Sequence, residues 1–209
     1  MVAVAALITV AGCSDPSDNV PKSGASAPKE ASSPAAGGGT EYVIRAGSKI
    51  GFVGSKVTGS HTGGFTNFAG RFQVQDGKIT GSPEIKINMK STWADASKLT
   101  GHLKSPDFFD VEKFPTSTFT VTTIEPEGPA SKVTGNLQLH GVTKSISFPA
   151  TVAVAADALT VKAEFAINRK DFGIVYAGKS DDLIRDNVVI RLDLKATPGE
   201  PRPEDLVAN

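Results

Sequence analysis

The chain has 209 residues, which allows one medium-sized domain with extensions at its ends. Its 22 Lys and Arg residues balance its 22 Asp and Glu residues, so a nucleic-acid partner, which would require a basic surface, is not expected. The hydrophobic content of 39% is enough for a packed core and too low for a bundle of membrane-spanning helices.

The N-terminal segment, residues 1–12, is almost entirely apolar and ends in Val10-Ala11-Gly12-Cys13. The run is too short to span a bilayer but fits the apolar core of a secretory signal peptide. The last four residues resemble a bacterial lipobox, so we expect Cys13 to be lipidated and to anchor the protein to a bacterial membrane on the periplasmic side. A truncated signal peptide with a chance cysteine is the alternative.

Two segments have the composition of disordered chain. Residues 13–39 contain almost no large apolar side chain and include Ala35-Ala36-Gly37-Gly38-Gly39. Such a segment cannot bury enough surface to offset its ordering entropy, so we expect a disordered tether behind the lipid anchor. The polar, proline-rich residues 198–209 are predicted to be a disordered tail, which leaves one domain over residues 40–197.

Inside the domain the dominant hydrophobic period is two. Val161, Ala163, Phe165 and Ile167, for example, alternate with mostly polar neighbours. This alternation is typical of antiparallel strands with one dry and one wet face. Strands are predicted near 42–46, 48–58, 63–75, 78–90, 116–125, 131–140, 143–155, 158–167 and 187–196, and the first two can count as one.

The pattern favours an all-β fold, an antiparallel eight-stranded barrel, over a sandwich, which the alternation alone would also satisfy. Long strands need closed or covered edges. Glycines at 54, 59, 63, 64 and 70 supply the bends that a small barrel requires.

After the fourth long strand comes a connection with an unusual aromatic content. One short helix is predicted over about 94–104, and the segment from Gly101 to Pro115 then holds Phe108, Phe109 and Phe114. Long connections in compact domains are uncommon and usually functional, and this much aromatic area must be buried against the domain or around a ligand.

Motifs of catalysis are missing from the sequence. There is no nucleophile elbow, phosphate loop, dinucleotide fingerprint, His-Glu-x-x-His or Cys-x-x-Cys. The histidines His61, His102 and His140 are far apart and form no metal signature. We therefore expect no enzyme activity, no metal and no cofactor; a hydrolase would require His102 or His140 beside a carboxylate in a cleft.

Several blocks, in order, resemble the hallmarks of the YceI-like family, which are lipocalin-like, polyisoprenoid-binding proteins of the bacterial periplasm. The blocks are Ser60–Phe65, Gly101–Pro115, Gly135–Lys144, Ile167–Gly173 and Val188–Leu194. The resemblance spans about residues 40–196. It implies a barrel whose apolar tunnel holds an isoprenoid lipid, either a quinone or a polyprenyl species.

The tunnel residues are predicted from the apolar strand faces and from the aromatic connection. For each aromatic residue, plain core packing is the alternative. The predicted ligand-binding residues are Phe52, Phe65, Phe72, Ile87, Trp93, Phe108, Phe109, Phe119, Phe148 and Phe165, with His61, Arg71, His102 and Lys104 as polar candidates at the mouth.

Two functions are consistent with the sequence. The first is an envelope-tethered binding protein that stores or transports an amphiphilic isoprenoid. The second is a structural or interaction module of the cell envelope, with a filled core and no ligand. The oligomeric state is left open.

Overall fold

The computed structural model describes residues 15–31, 38–202 and 205. The predicted signal peptide, residues 1–12, and the predicted lipidation site, Cys13, lie outside this part of the chain. The strands are β1 (Lys22–Ser23), β2 (Thr40–Ile44), β3 (Lys49–Lys56), β4 (Gly59–Phe65), β5 (Phe68–Gln75), β6 (Lys78–Asn88), β7 (Thr92–Ala94), β8 (Thr116–Glu127), β9 (Ala130–Leu139), β10 (Val142–Val154), β11 (Leu159–Asn168), β12 (Gly178–Lys179), β13 (Asp182–Leu183) and β14 (Asn187–Pro198). The helices are α1 (Ser97–Lys104) and two 3-10 turns, Met89–Ser91 and Arg169–Phe172.

Eight strands form a closed antiparallel ring in the order β11, β10, β9, β8, β6, β5, β2 and β14. Strand β14 closes the ring, because one of its edges pairs with β11 and the other pairs with β2 and then β3. The predicted all-β, lipocalin-like, eight-stranded barrel with one short helix is confirmed, and the aromatic-rich connection lies between β6 and β8. Closure leaves no long free edge in the ring.

The barrel has two ends that differ in structure. Strands β3, β4 and β7 continue from β14 as a flap at the upper end, where the turn 57–58 and the connection 169–186 also lie. The lower end carries the turns 76–77 and 155–158. The segment 63–75, predicted as one strand, is two strands, because the amides of Thr66 and Asn67 leave the ladder and bond to Ser91.

The lower half of the barrel is filled by side chains. Tyr42, Phe72, Leu159 and Leu194 are all at most 3% exposed. The hydroxyl of Tyr42 donates to the carbonyl oxygens of Ala155 and Ala156, at 2.8 and 3.0 Å. Because each inward position here is occupied by packed hydrocarbon, the lower end is shut.

The upper end is closed by the helix and the aromatic connection. The helix begins at Ser97 rather than at the predicted residue 94, because Ala94 belongs to β7 and its amide is bound by the Thr100 hydroxyl, at 2.9 Å. After α1, backbone bonds such as Phe109 N–H to Leu103 O, at 3.0 Å, fold the connection into turns. A second apolar cluster forms here from Phe52, Leu103, Phe108 and Ile174.

Residues 15–31 lie against the barrel, which corrects the predicted disordered tether for this part of 13–39. Strands β10 and β11 pair only over Thr151–Val154 and Leu159–Lys162, so they separate in the upper half. Residues 15–31 fill this seam. Strand β1 pairs with Ala166 and Ile167 of β11, and Ser26 pairs with Ser145 of β10. Residues 15–31 are held in the seam by backbone pairing and small side chains. The composition of the segment therefore did not predict that it packs against the barrel.

The C-terminal residues also pack in part, where a disordered tail was predicted over 198–209. Pro198 still pairs with Tyr42 in the sheet. Asp205 is 5% exposed and forms an ion pair with Arg45. An arginine on the barrel therefore holds the described part of this tail through charge, although the tail has little apolar surface.

Removing residues 15–31 is expected to open the seam between β10 and β11. The amides of Ser145, Ser147 and Ala166 would lose their acceptors in the segment, which are Ser26 O, Ser23 Oγ and Pro21 O. At about 1–3 kcal/mol for each unpaired buried group, the free energy of unfolding should fall by about 3 kcal/mol or more. Urea unfolding and amide hydrogen exchange measure both effects. Rapid exchange of these three amides in the full chain would contradict the sealed seam.

Candidate functional site

An apolar cavity of about 180 Å³ lies in the upper half of the barrel. Its walls are the inward residues of β3, β6, β8, β9, β10, β11 and β14, and it is bounded by Leu103 of α1 and by Ile174 and Ile184 of the connection from β11 to β14. The side chains that reach it are almost all hydrocarbon. The cavity is therefore a site for an apolar group.

Two groups of phenylalanines form much of the wall. Phe52, Phe65 and Phe109 meet near the aromatic connection, with ring centroids 5.9 to 6.3 Å apart. On the other side, Phe148 stacks on Phe165 at 3.9 Å with nearly parallel rings. Both arrangements fix the rings by contact with each other, so the cavity has a defined shape.

Most of the predicted ligand-binding residues line this cavity. Strand alternation places their side chains inward, and the connection folds its aromatics onto the same space. The residues are Phe52, Phe65, Ile87, Phe108, Phe109, Phe119, Phe148 and Phe165.

The structure places Phe72 and Trp93 away from the cavity. Phe72 faces inward as expected, but it stands in the filled lower half and is 3% exposed. Trp93 is 43% exposed, because the buried Thr92 takes the inward position of the short strand β7. Its indole nitrogen lies 3.1 Å from where a Cβ on Gly64 would stand, so the ring covers a glycine on the outer face.

The predicted mouth residues His61 and His102 lie on the surface. His61 Nδ1 is 2.8 Å from Asp95 Oδ1. His102 Nε2 is 2.8 Å from Asp107 Oδ2, and the imidazole packs edge-on against Phe108, behind the cavity wall. The carboxylate that a hydrolase would require is thus present at His102, but this pair is largely exposed to solvent and lies outside the cavity.

The other polar candidates, Arg71 and Lys104, do not line the cavity either. Arg71 points outward from β5 and lies 3.6 Å from Glu41. Lys104 ends α1. The polar groups that sequence reasoning placed at the mouth therefore sit outside the tunnel wall.

Sequence reasoning missed Arg169, which lines the cavity although it is charged and 4% exposed. Its guanidinium donates to the carbonyl oxygens of Arg185, Ile174 and Ile184, at 3.1, 2.7 and 3.3 Å. Burial lowers the pKa of Arg169, and the charge of Asp186 partly offsets this. The available signals were an arginine directly after an alternating strand and its place in the Ile167–Gly173 block.

We name residues 169–186 the cap segment. Arg169 connects the beginning of the segment to its middle and its end through the hydrogen bonds described above. Asp182 connects the segment to the turn between β3 and β4. Asp182 forms an ion pair with Lys56, and it accepts bonds from the amide and hydroxyl of Thr58, at 3.2 and 3.0 Å. The Lys56 ammonium, with help from Thr58, lowers the pKa of Asp182.

Within the described ranges, no three His, Cys, Asp or Glu side chains come together in a group able to hold a metal ion. Nor does any helix in that part of the chain have the length and apolar character needed to cross a membrane.

The second cavity-lining residue with a polar side chain is Ser117, whose hydroxyl donates to Gln138 O at 2.6 Å.

A family model described as the YceI-like domain matches residues 42–196. A UPF0312 protein of Pseudomonas putida (strain W619) is 32% identical over 159 residues, covering 69% of this chain and 81% of the relative. The protein YceI of Salmonella arizonae is 34% identical over 119 residues, covering 54% of this chain and 62% of the relative.

Solved structures share the fold. BcnA of Burkholderia cenocepacia aligns with a TM-score of 0.65 and 25% identity, over 73% of this chain and 98% of BcnA. A polyisoprenoid binding domain from Saccharophagus degradans aligns with a TM-score of 0.64 and 18% identity, over 78% of this chain and all of that domain. At that identity the second likeness concerns the fold alone.

Truncating Phe165 tests the packing of the cavity wall. Because Phe165 is 3% exposed and stacked on Phe148, Phe165→Ala is expected to lower the free energy of unfolding by about 3–5 kcal/mol. Phe165→Glu is expected to prevent folding. Lys162→Ala, at an exposed site on the same strand, should change stability by less than about 0.5 kcal/mol. Unchanged stability of Phe165→Ala in urea unfolding would contradict the inward register of β11.

The bond between the cap segment and the β3–β4 turn should respond to acid. Since the folded pKa of Asp182 is lowered, the bond is complete above the ordinary carboxyl pKa and is lost only as the pH falls through the lower folded value. The amide shift of Thr58, followed by NMR, should titrate with a midpoint below that of an ordinary aspartate. Lys56→Met should move the midpoint upward; an unmoved midpoint would contradict the assignment to Lys56.

Proposed function

The chain belongs to the YceI-like family, and from this premise we propose that it binds an amphiphilic isoprenoid, a quinone or a polyprenyl lipid, in its apolar cavity. The binding serves storage or transport of the lipid. The barrel architecture and the solved polyisoprenoid binding domain with the same fold support the proposal.

The observation that carries this proposal is the chemistry of the cavity wall. The two lining residues with polar side chains, Arg169 and Ser117, have already committed donors to backbone carbonyls. A ligand with polar groups along its length would lose hydrogen bonds to water and gain none. An isoprenoid tail has no hydrogen bonds to water to lose, and its burial contributes about 25 cal/mol of binding free energy per Å² of apolar surface.

The size of the cavity indicates how the ligand sits. At about 180 Å³ it is smaller than typical pockets for drug-sized ligands, which measure about 300–1,000 Å³. Such a space takes a section of a thin chain and leaves no room for a ring system beside it. In the proposed complex the tail enters the barrel, and the headgroup stays at the upper end.

The proposal includes attachment to the cell envelope. The apolar residues 1–12 and the lipobox-like Val10–Cys13 support a lipidated Cys13 and a periplasmic location at a bacterial membrane. A tethered barrel would exchange its ligand with the membrane to which it is attached. Globomycin sensitivity of processing, with fatty acid recovered at Cys13, tests this part separately.

The alternative function, a structural or interaction module of the envelope without a ligand, is favoured by one observation. The stacked Phe148 and Phe165 occupy part of the barrel interior, and the cavity beside them is small, at about 180 Å³. Lipid extraction and mass spectrometry of the purified full chain separate the two functions. A stoichiometric isoprenoid supports the binding protein, and a clean protein that also fails to take up added isoprenoid supports the module.

Filling the cavity provides a matched test of the binding site. Gly54 lines the cavity, and a Cβ placed on it meets no atom within 4 Å. Gly54→Leu is therefore expected to fold normally and to lose about tenfold or more in affinity, because the added hydrocarbon competes with the tail. Gly59→Leu is the control, since its Cβ also meets open space but lies outside the cavity. Equal binding by both variants in a fluorescent-lipid titration would contradict the proposed site.

A further inference from the structure

Large apolar side chains are exposed at the upper end of the barrel. Val57, Val175 and Leu183 are 54%, 65% and 49% exposed. Of the described residues, Trp93 on the outer face of β7 is the remaining large hydrophobic with such exposure. We name Val57, Val175 and Leu183 the upper-end patch.

Backbone bonds join the members of the upper-end patch. The amide of Val57 donates to Leu183 O at 3.2 Å, and the amide of Ile184 donates to Ala177 O at 2.9 Å. Arg169 binds the carbonyls of both Ile174 and Ile184, the neighbours of Val175 and Leu183. The three residues of the patch thus lie on the cap segment and the adjoining β3–β4 turn, which these bonds hold together at one end of the barrel.

At two places in the cap segment, neighbouring side chains point to opposite sides, one to the cavity and the next to the solvent. Ile174 and Ile184 line the cavity, whereas the adjacent Val175 and Leu183 point outward. Only the thickness of the cap segment separates the apolar interior from the apolar exterior. At the lower end, among the described residues, Tyr42 and its packed neighbours close the barrel.

Charges around the patch are largely neutralised within the protein. Lys56 pairs with Asp182, Lys170 with Asp186 at 2.8 Å, and Arg185 with Asp15 at 3.5 Å. The exposed Lys179 and Asp181 carry opposite signs. The partner of this surface is therefore recognised by its apolar character and not by charge.

The chain itself leads to this end. Asp15, the first described residue, forms an ion pair with Arg185 of the cap segment, and the proposed lipidation site, Cys13, comes two residues before it in the sequence. A lipid anchor on Cys13 would hold the upper end next to the bilayer, because residues 15–31 are fixed along the seam between β10 and β11.

We propose that the upper-end patch docks on a lipid bilayer and that the tail of the ligand passes between membrane and cavity beneath the cap segment. This inference rests on the proposed function. A cavity of about 180 Å³ cannot admit a long tail with the cap segment in place, so docking is coupled to outward movement of this segment.

The docking orientation is tested with the full chain and vesicles of brominated phosphatidylcholine. Trp93 is the only tryptophan, so Trp93→Phe gives a background without tryptophan fluorescence. In this background, Val175→Trp and Leu183→Trp are expected to be quenched by the brominated lipid. Ala156→Trp, on the exposed turn at the lower end, is expected to stay unquenched.

The membrane affinity of the proposed N-terminal lipid anchor is common to these variants, so the difference between positions reports which end meets the bilayer. Equal quenching at 156 and 175, or quenching at neither on vesicles that retain the protein, overturns the inference. Protection of Val175→Trp by a second copy, seen as a dimer in size-exclusion chromatography with no quenching by lipid, also overturns it.

A second measurement separates this inference from the proposed function. The triple variant Val57→Ser, Val175→Ser, Leu183→Ser is expected to slow isoprenoid transfer from vesicles by about tenfold or more, because three apolar side chains no longer enter the bilayer. Uptake of the same isoprenoid from detergent should be unchanged. Unchanged transfer from vesicles, with uptake from detergent intact, refutes docking alone; failure of the wild-type chain to bind isoprenoid from detergent refutes the proposed function.

Discussion

The ladder between β11 and β14 is the constraint on which the rest of the structure depends. Its ten residue pairs, from Leu159–Ala196 to Asn168–Asn187, bring the last strand of the ring beside its neighbour and close it. Closure also fixes register, since a shift of one residue would turn Phe165 and Ile190 from the cavity to the solvent. Where β10 leaves β11, residues 15–31 occupy the seam. At this seam the wall of the barrel is therefore completed by backbone pairing with a stretch of chain whose composition had predicted disorder.

Since β11 and β14 are neighbours and antiparallel, the connection between them must stay at one end of the barrel. That connection is the cap segment, and Arg169 determines its shape. Burying a guanidinium is costly, and this cost is offset by bonds to the carbonyls of Ile174, Ile184 and Arg185. Those carbonyls lie in an irregular connection, and they accept bonds from the guanidinium instead of from a regular ladder. The hydrogen bonds of one buried guanidinium thus take the place of strand-to-strand hydrogen bonds where the regular ladder has ended. In this arrangement Ile174 and Ile184 face the cavity.

Strand periodicity predicted the fold well, and it predicted the site in part. Phe52, Phe119, Phe148 and Phe165 were placed correctly because alternation decides which face a residue takes. Alternation does not decide the height along the barrel axis, so Phe72 was assigned to the site although it fills the lower half. A strand of three residues shows no period, so the sequence pattern did not indicate that Trp93 faces outward. Contacts such as those of Arg169 with Ile184 depend on the path of an irregular connection, which no local pattern encodes.

The division of the barrel into two halves explains how one small domain can be stable and still hold an empty space. The lower half contains side chains such as Leu159 and Leu194, buried to 0% and 1% exposure, and it supplies the packing that a cavity forgoes. The upper half gives up part of that packing, and backbone pairing at the seam and polar bonds in the cap segment add to the stability that its aromatic wall provides. Polar bonds near solvent can open without disturbing the apolar core below. The proposed isoprenoid cavity thus lies in the half of the barrel whose polar bonds, those of the cap segment, can open and close most easily.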